Sequence, residues 1–139
     1  MPSFGQRSRD RIATLDERWE GVLFQVIEHY DFTIVCGFRD MAAQTFAFEQ
    51  SFSTKQWPNS KHNVNPSLAV DIAPWHSDLP HIRWERKEEF IFLAGLIVGA
   101  SWMNLDGDDS IRWGGDWDSD GDQRDQTFMD IGHFEIRSG

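Results

Sequence analysis

The order of patterns along the chain predicts an α+β fold, with a small, mostly antiparallel sheet packed against helices. Three observations carry this expectation. Apolar residues recur with helical period in two places, short β-branched or apolar runs lie between unequal loops, and the alternating run "HFEIR" closes the chain.

From about Ser8 to His29, residues Ile12, Leu15, Trp19, Val22, Leu23, Val26 and Ile27 recur at steps of three and four, which predicts a helix with one apolar face. "DFTIVCGF", Asp31 to Phe38, is β-branched and apolar and ends near Gly37, so it reads as a buried strand with Cys36 as a core thiol. A second helix is predicted after Asp40, over "MAAQTFAFEQSF". Residues Ser53 to Pro66 are polar and broken by Pro58 and Pro66, so they read as loop. "SLAVDIAP" is a short strand stopped by Pro74, and a loop with His76, Pro80 and His81 leads to a long helix from about Trp84 to Asn104. Its apolar run, Phe90 to Ala100, spans 11 residues, short of the roughly 20 needed to cross a bilayer, and reads as a buried helix. "SIRWGG" reads as a strand, Asp116 to Asp125 as an Asp/Gly loop, and "HFEIR" as the last strand.

No repeat or linker divides the 139 residues, so the expectation is one domain over 1–139 with a real hydrophobic core and no separate wall-binding domain. The formal charge of −10 opposes nonspecific binding to nucleic acid or anionic membrane, because both depend on Lys and Arg neutralising negative charge. The acidic excess concentrates between Asp106 and Asp130. The single cysteine excludes an internal disulfide framework and a CxxC metal site. The polar N-terminus lacks the apolar segment of a secretory signal, so synthesis and retention in the cytoplasm are expected, without membrane insertion and as a monomer.

Two of the five histidines are tied closely to carboxylates. His133 ends "DIGH", three residues after Asp130, and begins an alternating strand. His62 stands nine residues before Asp71, which interrupts the apolar "LAVDIA", where a buried charge is costly unless paired or metal-bound. These are either unrelated polar residues at strand edges or parts of one site. Catalytic zinc would unite them. It takes three protein ligands of His and Asp/Glu type and keeps a position for water, leaving Asp130 free to act as a base. A nucleophilic site is poorly supported, since no GxSxG elbow exists and Cys36 lies in a strand.

"SKH…AVD…DIGH", preceded by "GFRD" and accompanied by "RWGGDWDSDGD", resembles the zinc D-alanyl-D-alanine carboxypeptidase superfamily, and within it the L-alanyl-D-glutamate peptidases that serve as phage endolysins. The resemblance runs over nearly the whole chain, with the motifs in family order. It implies a hedgehog/DD-peptidase-like fold in which His62, Asp71 and His133 bind Zn²⁺ and Asp130 is the catalytic base. Arg39, in the family's G-x-R position, would polarise the scissile carbonyl or hold a substrate carboxylate. Ser60, in S-x-H, and Gln44, one turn past the arginine, would contact substrate. The implied partner is bacterial peptidoglycan, and the implied life history is accumulation in the host cytoplasm before release to the cell wall. One departure stands out: the interval "HNVNPSLAVD" is two residues longer than the family's HxxGxAxD and lacks its glycine. Loop insertions cost little, so both ligands can keep their geometry while the cleft rim beside His62 changes.

The acidic loop raises a second metal question. Asp116, Asp118, Asp120 and Gly121 reproduce the first half of an EF-hand calcium loop, but Thr127 stands where a bidentate glutamate would complete it. Ca²⁺ binding there is one expectation and a solvated acidic loop the other. Two rival functions share the zinc site: a D-alanyl-D-alanine carboxypeptidase or dipeptidase, and a noncatalytic binding module, which would have no need of Asp130.

Overall fold

The structure, a computed structural model, describes residues 2–115 and 130–138. Where the sequence predicts one N-terminal helix there are two, α1 (Gln6–Ile12) and α2 (Arg18–Ile27). Polar side chains in "TLDE" cause the break by offering the backbone alternative partners. The Thr14 hydroxyl donates to the Arg11 carbonyl at 2.6 Å, and the Asp16 carboxylate accepts from the Arg18 amide at 3.0 Å. The backbone between them is taken by residue 67: Asp16 N donates to Ser67 O, and Ser67 N donates to Thr14 O. The apolar stripe survives the break, and Ile12, Leu15, Trp19, Val22 and Leu23 are all buried.

Four strands follow, β1 (Phe32–Cys36), β2 (Ala69–Pro74), β3 (Ser110–Trp113) and β4 (His133–Arg137), in the order β1-β2-β4-β3 and antiparallel throughout. Helix α3 (Met41–Glu49) starts at Asp40, whose carboxylate accepts from the Ala43 amide at 2.9 Å. Helix α4 (Lys87–Asn104) packs against α2 and the sheet. The long loop before β2 contains one 3-10 turn, Lys61–Asn63. Among the described residues no helix is long and apolar enough to cross a membrane. Helix α4 buries Phe90, Leu93, Ala94, Ile97 and Ala100 but leaves Phe92, Trp102 and Met103 exposed, because it forms an outer layer and has a neighbour on one side.

Strand alternation divides the sheet into two faces. Val70 and Ile72 of β2, Phe134 and Ile136 of β4 and Ile34 of β1 join Trp19, Leu23, Leu93 and Ile97 in one apolar cluster. Each such side chain contributes roughly 1.5–3 kcal/mol by leaving water. The alternate residues, Ala69 and Asp71 of β2 and His133 and Glu135 of β4, face the other way. Strand β1 would keep Cys36 on the core side with Phe32 and Ile34, as the sequence pattern suggests. A bulge changes its parity: Ile34 pairs with Ile72, but Cys36 pairs with Asp71. Cys36 is therefore not a core thiol. It is half-buried, in the same cross-strand row as Asp71 and His133.

Candidate metal centre and active site

Register brings two of the predicted ligands together, since Asp71 of β2 lies directly opposite His133 of β4. The third arrives from the 3-10 turn. Ser60 caps that turn, its hydroxyl accepting from the His62 amide at 3.2 Å, while the Asn63 side chain accepts from the Ser60 amide at 3.1 Å. The capped turn is fastened to the β1 end by Arg39 N donating to His62 O at 2.8 Å. The longer interval between His62 and Asp71 is thus absorbed in the loop.

Three atoms then converge. His62 Nε2 lies 3.2 Å from Asp71 Oδ1 and 3.3 Å from His133 Nδ1, and His133 Nδ1 lies 2.9 Å from Asp71 Oδ1. Each ring is oriented by its other nitrogen. His62 Nδ1 donates to the Gly37 carbonyl at 2.7 Å, and His133 Nε2 donates to Glu135 Oε1 at 3.0 Å. These outer partners fix the tautomers, so both neutral imidazoles aim lone pairs at the point that Asp71 Oδ1 also faces. Three electron-rich atoms in one buried spot repel unless a proton or a cation sits among them. An ion bound at roughly 2.0–2.1 Å in a tetrahedral site would have donor atoms ~3.3 Å apart, so the observed triangle suits a metal.

The electrostatics agree. Burial pushes the His62 imidazole down, but the Asp71 carboxylate more than offsets this and holds its pKa up at about 10. Burial likewise opposes the charged form of His133, while hydrogen bonds to Asp71 and Glu135 push it up to about 9. Burial would raise Asp71, but the two histidines hold it well below the usual carboxylate range. Positive charge is therefore strongly favoured at the centre of the triangle.

Asp130 stands at the edge of the cluster, with a carboxylate oxygen within 4.8 Å of the Asp71 and His133 ligand atoms. Its backbone is pinned on both sides: Asp130 N donates to Gly114 O at 3.0 Å and Asp130 O accepts from His133 N at 3.1 Å. A Cβ at position 114 would run into the Asp130 carbonyl, which explains the glycine. Burial and then the neighbouring Asp71 charge raise the Asp130 pKa above its ordinary value, toward the range useful to a base.

Arg39 is hydrogen-bonded into the cluster. Its Nη2 donates to Asp71 Oδ2 at 3.2 Å, Nη1 to Gln44 Oε1 at 3.0 Å and Nε to Cys36 Sγ at 3.3 Å. Gln44 is fully buried, and its amide nitrogen donates to Ser53 Oγ and Lys55 O. Gln44 thus spends its polar atoms inside the protein, supporting Arg39. Ser60 is buried beside the cleft that Asp130, His133 and Glu135 also line. His76, outside this group, pairs with Glu89 at 2.8 Å.

Glu135 and Cys36 carry structural weight that the sequence reading did not assign them. Glu135 had a visible signal, because "HFEIR" places it on the same strand face as His133. Burial raises its pKa, but the His133 hydrogen bond lowers it further, with help from Arg112 and Lys61, so it stays ionised. Cys36 had none, since the bulge is not legible in "FTIVCGF". The thiol lies 4.0 Å from His62 Nδ1, on the side of the ring already engaged by Gly37. Asp116, Asp118 and Asp120, named for calcium, lie outside the described residues.

The α+β sheet carries α2 and α4 over its apolar face, and on its other face His62, Asp71 and His133 form a triangle that could hold a metal ion, with the Asp130 carboxylate beside it. The fold is shared with the crystal structure of the Serratia marcescens L-Ala D-Glu endopeptidase ChiX, at a TM-score of 0.74 and 20% sequence identity over 96% of this chain and 89% of that one. Residues 2–137 match the family model of the phage L-alanyl-D-glutamate peptidases, and the chain belongs to that family. It is therefore a peptidase, directed at the L-alanyl-D-glutamate bond. No curated protein sequence matches the chain at a significant level.

Proposed function

We propose that this peptidase is a zinc enzyme that cuts the stem peptides of bacterial peptidoglycan and serves as a phage endolysin, with His62 Nε2, Asp71 Oδ1 and His133 Nδ1 as the metal ligands. The observation that carries the reading is the triangle of ligand atoms with edges of 2.9–3.3 Å, both imidazoles held in the metal-binding tautomer by Gly37 and Glu135. When bound, zinc supplies Lewis acidity to the scissile carbonyl and lowers the pKa of water toward 7.

The remaining work falls to side chains. Asp130, ionised but raised in pKa, accepts a proton from the attacking water and returns it to the departing amine of D-glutamate. Arg39 holds the second oxygen of Asp71, which keeps Oδ1 aimed at the centre, and its charge favours the negative charge that develops on the carbonyl oxygen. Gln44, through Nη1, fixes the guanidinium. Ser60 sets the position of His62 through the turn cap. No serine or cysteine nucleophile enters. The reading implies release to the cell wall after accumulation in a host cell.

The test is digestion of purified peptidoglycan by metal-free and zinc-reconstituted protein. New N-terminal glutamate and new C-terminal alanine, appearing only with zinc, are expected. Release of terminal D-alanine with otherwise intact stems would overturn the endopeptidase reading in favour of a carboxypeptidase, and activity unaffected by chelation would overturn the zinc reading.

A further inference from the structure

The substrate of this family has a feature that demands recognition. D-glutamate has two carboxyl groups, and only one can continue the peptide chain. The residue whose amine leaves therefore presents a free carboxylate a few bonds from the scissile nitrogen, unless that carboxylate is amidated. A protein of formal charge −10, with Asp130 and Glu135 lining the cleft, would repel it.

The chain has three lysines, and two of them, Lys55 and Lys61, line this same cleft together with Asp130, His133 and Glu135. Both are exposed, and among the described residues neither ammonium group forms an ion pair or hydrogen bond within 4.0 Å. Lys61 is the better placed. It stands between Ser60 and the ligand His62 in the capped 3-10 turn, and its carbonyl accepts from Leu68 N at 3.3 Å, so its backbone is fixed relative to the metal ligands. Arg39 is less free to follow a substrate group, because three of its five N–H donors are already engaged by Asp71, Gln44 and Cys36.

We propose that Lys61, with Lys55 beside it, binds the free carboxylate of the substrate's D-glutamate and makes the enzyme select stems in which that group is not amidated. A flexible, strongly hydrated ammonium suits this task, since it can follow the carboxylate without disturbing the turn that holds His62. Its partner is solvent-accessible, so the contribution is a modest, salt-sensitive gain in binding rather than a large one.

The inference rests on the peptidase reading, and the experiment separates the two. Zinc-loaded protein is offered two soluble peptides, L-Ala-D-Glu-L-Lys with the glutamate's second carboxyl free or converted to the carboxamide. The wild type is expected to favour the free acid by about five-fold in kcat/KM, mostly through KM, with the preference shrinking as salt is raised. Lys61→Gln should bring the two substrates within about two-fold of each other, and Lys61→Arg should keep most of the discrimination. Zinc content and thermal midpoint of each variant establish that the site is intact. A wild type indifferent to amidation, or a Lys61→Gln variant that retains the full preference, overturns the inference while leaving the peptidase standing. Cleavage of neither peptide, with peptidoglycan also untouched, overturns the peptidase reading itself.

Discussion

The two faces of the sheet are built from alternate residues of the same strands, yet they obey different rules. On the helix-covered face Val70, Ile72, Phe134 and Ile136 are interchangeable in kind, since any apolar side chains of similar volume would satisfy the core. On the open face Asp71, His133 and Glu135 are individually specified, because their polar atoms meet particular partners: Asp71 Oδ1 faces His62 and His133, Asp71 Oδ2 faces Arg39, and Glu135 Oε1 faces His133. One face contributes the stability that lets the other hold charged groups in an arrangement that is costly without a cation. A residue's face should therefore decide whether its loss is felt in folding or in chemistry.

The sharpest way to break that comparison is a pair of substitutions four positions apart. Asp130→Asn keeps size and the pinned backbone but removes the proton acceptor. It should lower kcat by about 10²–10⁴-fold with zinc content and Tm unchanged. Phe134→Ala, one residue beyond the proposed ligand His133 and 1% exposed, should cost roughly 3–5 kcal/mol of stability in a denaturant titration. Its folded fraction should still hydrolyse substrate at near wild-type kcat. If Phe134→Ala lost activity well beyond its unfolded fraction, the faces would not be separable.

Glu135→Gln gives an intermediate effect. The amide can still accept from His133 Nε2 but no longer carries the charge that makes the ring a better ligand. A 10–100-fold loss of zinc affinity is expected by competition with a chelating dye, with little change in Tm of the metal-free protein. An unchanged affinity would mean that Glu135 only fills space.

The difference between the faces also explains what could be read in advance. Strands β2 and β4 are legible in "LAVDIAP" and "HFEIR" because alternation is local, and His62, Asp71 and His133 come together as the resemblance implied. Glu135 could have been found by the same alternation. What local pattern misses is competition between backbone partners. The break at Thr14 and Asp16 depends on Ser67, far along the chain, and the bulge that turns Cys36 toward Asp71 depends on pairing with β2. Gln44 reads in the sequence as a substrate contact one turn past Arg39, and only its hydrogen bonds to Ser53 and Lys55 make it a buried brace. Long-range hydrogen bonds of this kind leave no periodic trace in the sequence.

The smallest expected effect is also the one that ties both faces together, the dependence of stability on pH. In the metal-free protein His62 and His133 have pKa values held up at about 10 and about 9, above the roughly 6.5 of an unfolded histidine. Groups raised in the folded state contribute stability that is fully present below about pH 6.5 and is lost as pH climbs through 9 to 10. Asp71, depressed in the folded state, contributes above the ordinary carboxylate pKa and is lost only in acid. Zinc needs the same imidazole nitrogens free of protons, so its binding strengthens over the window in which the protonated pair weakens. The Tm of metal-free protein should therefore fall between pH 6.5 and 9.5, while the gap between metal-loaded and metal-free protein widens from pH 6 to 9. Paired thermal melts at fixed zinc excess measure both. A gap that stays constant would show that protons and metal do not compete for one triangle of atoms, and the ligand assignment would fall with it.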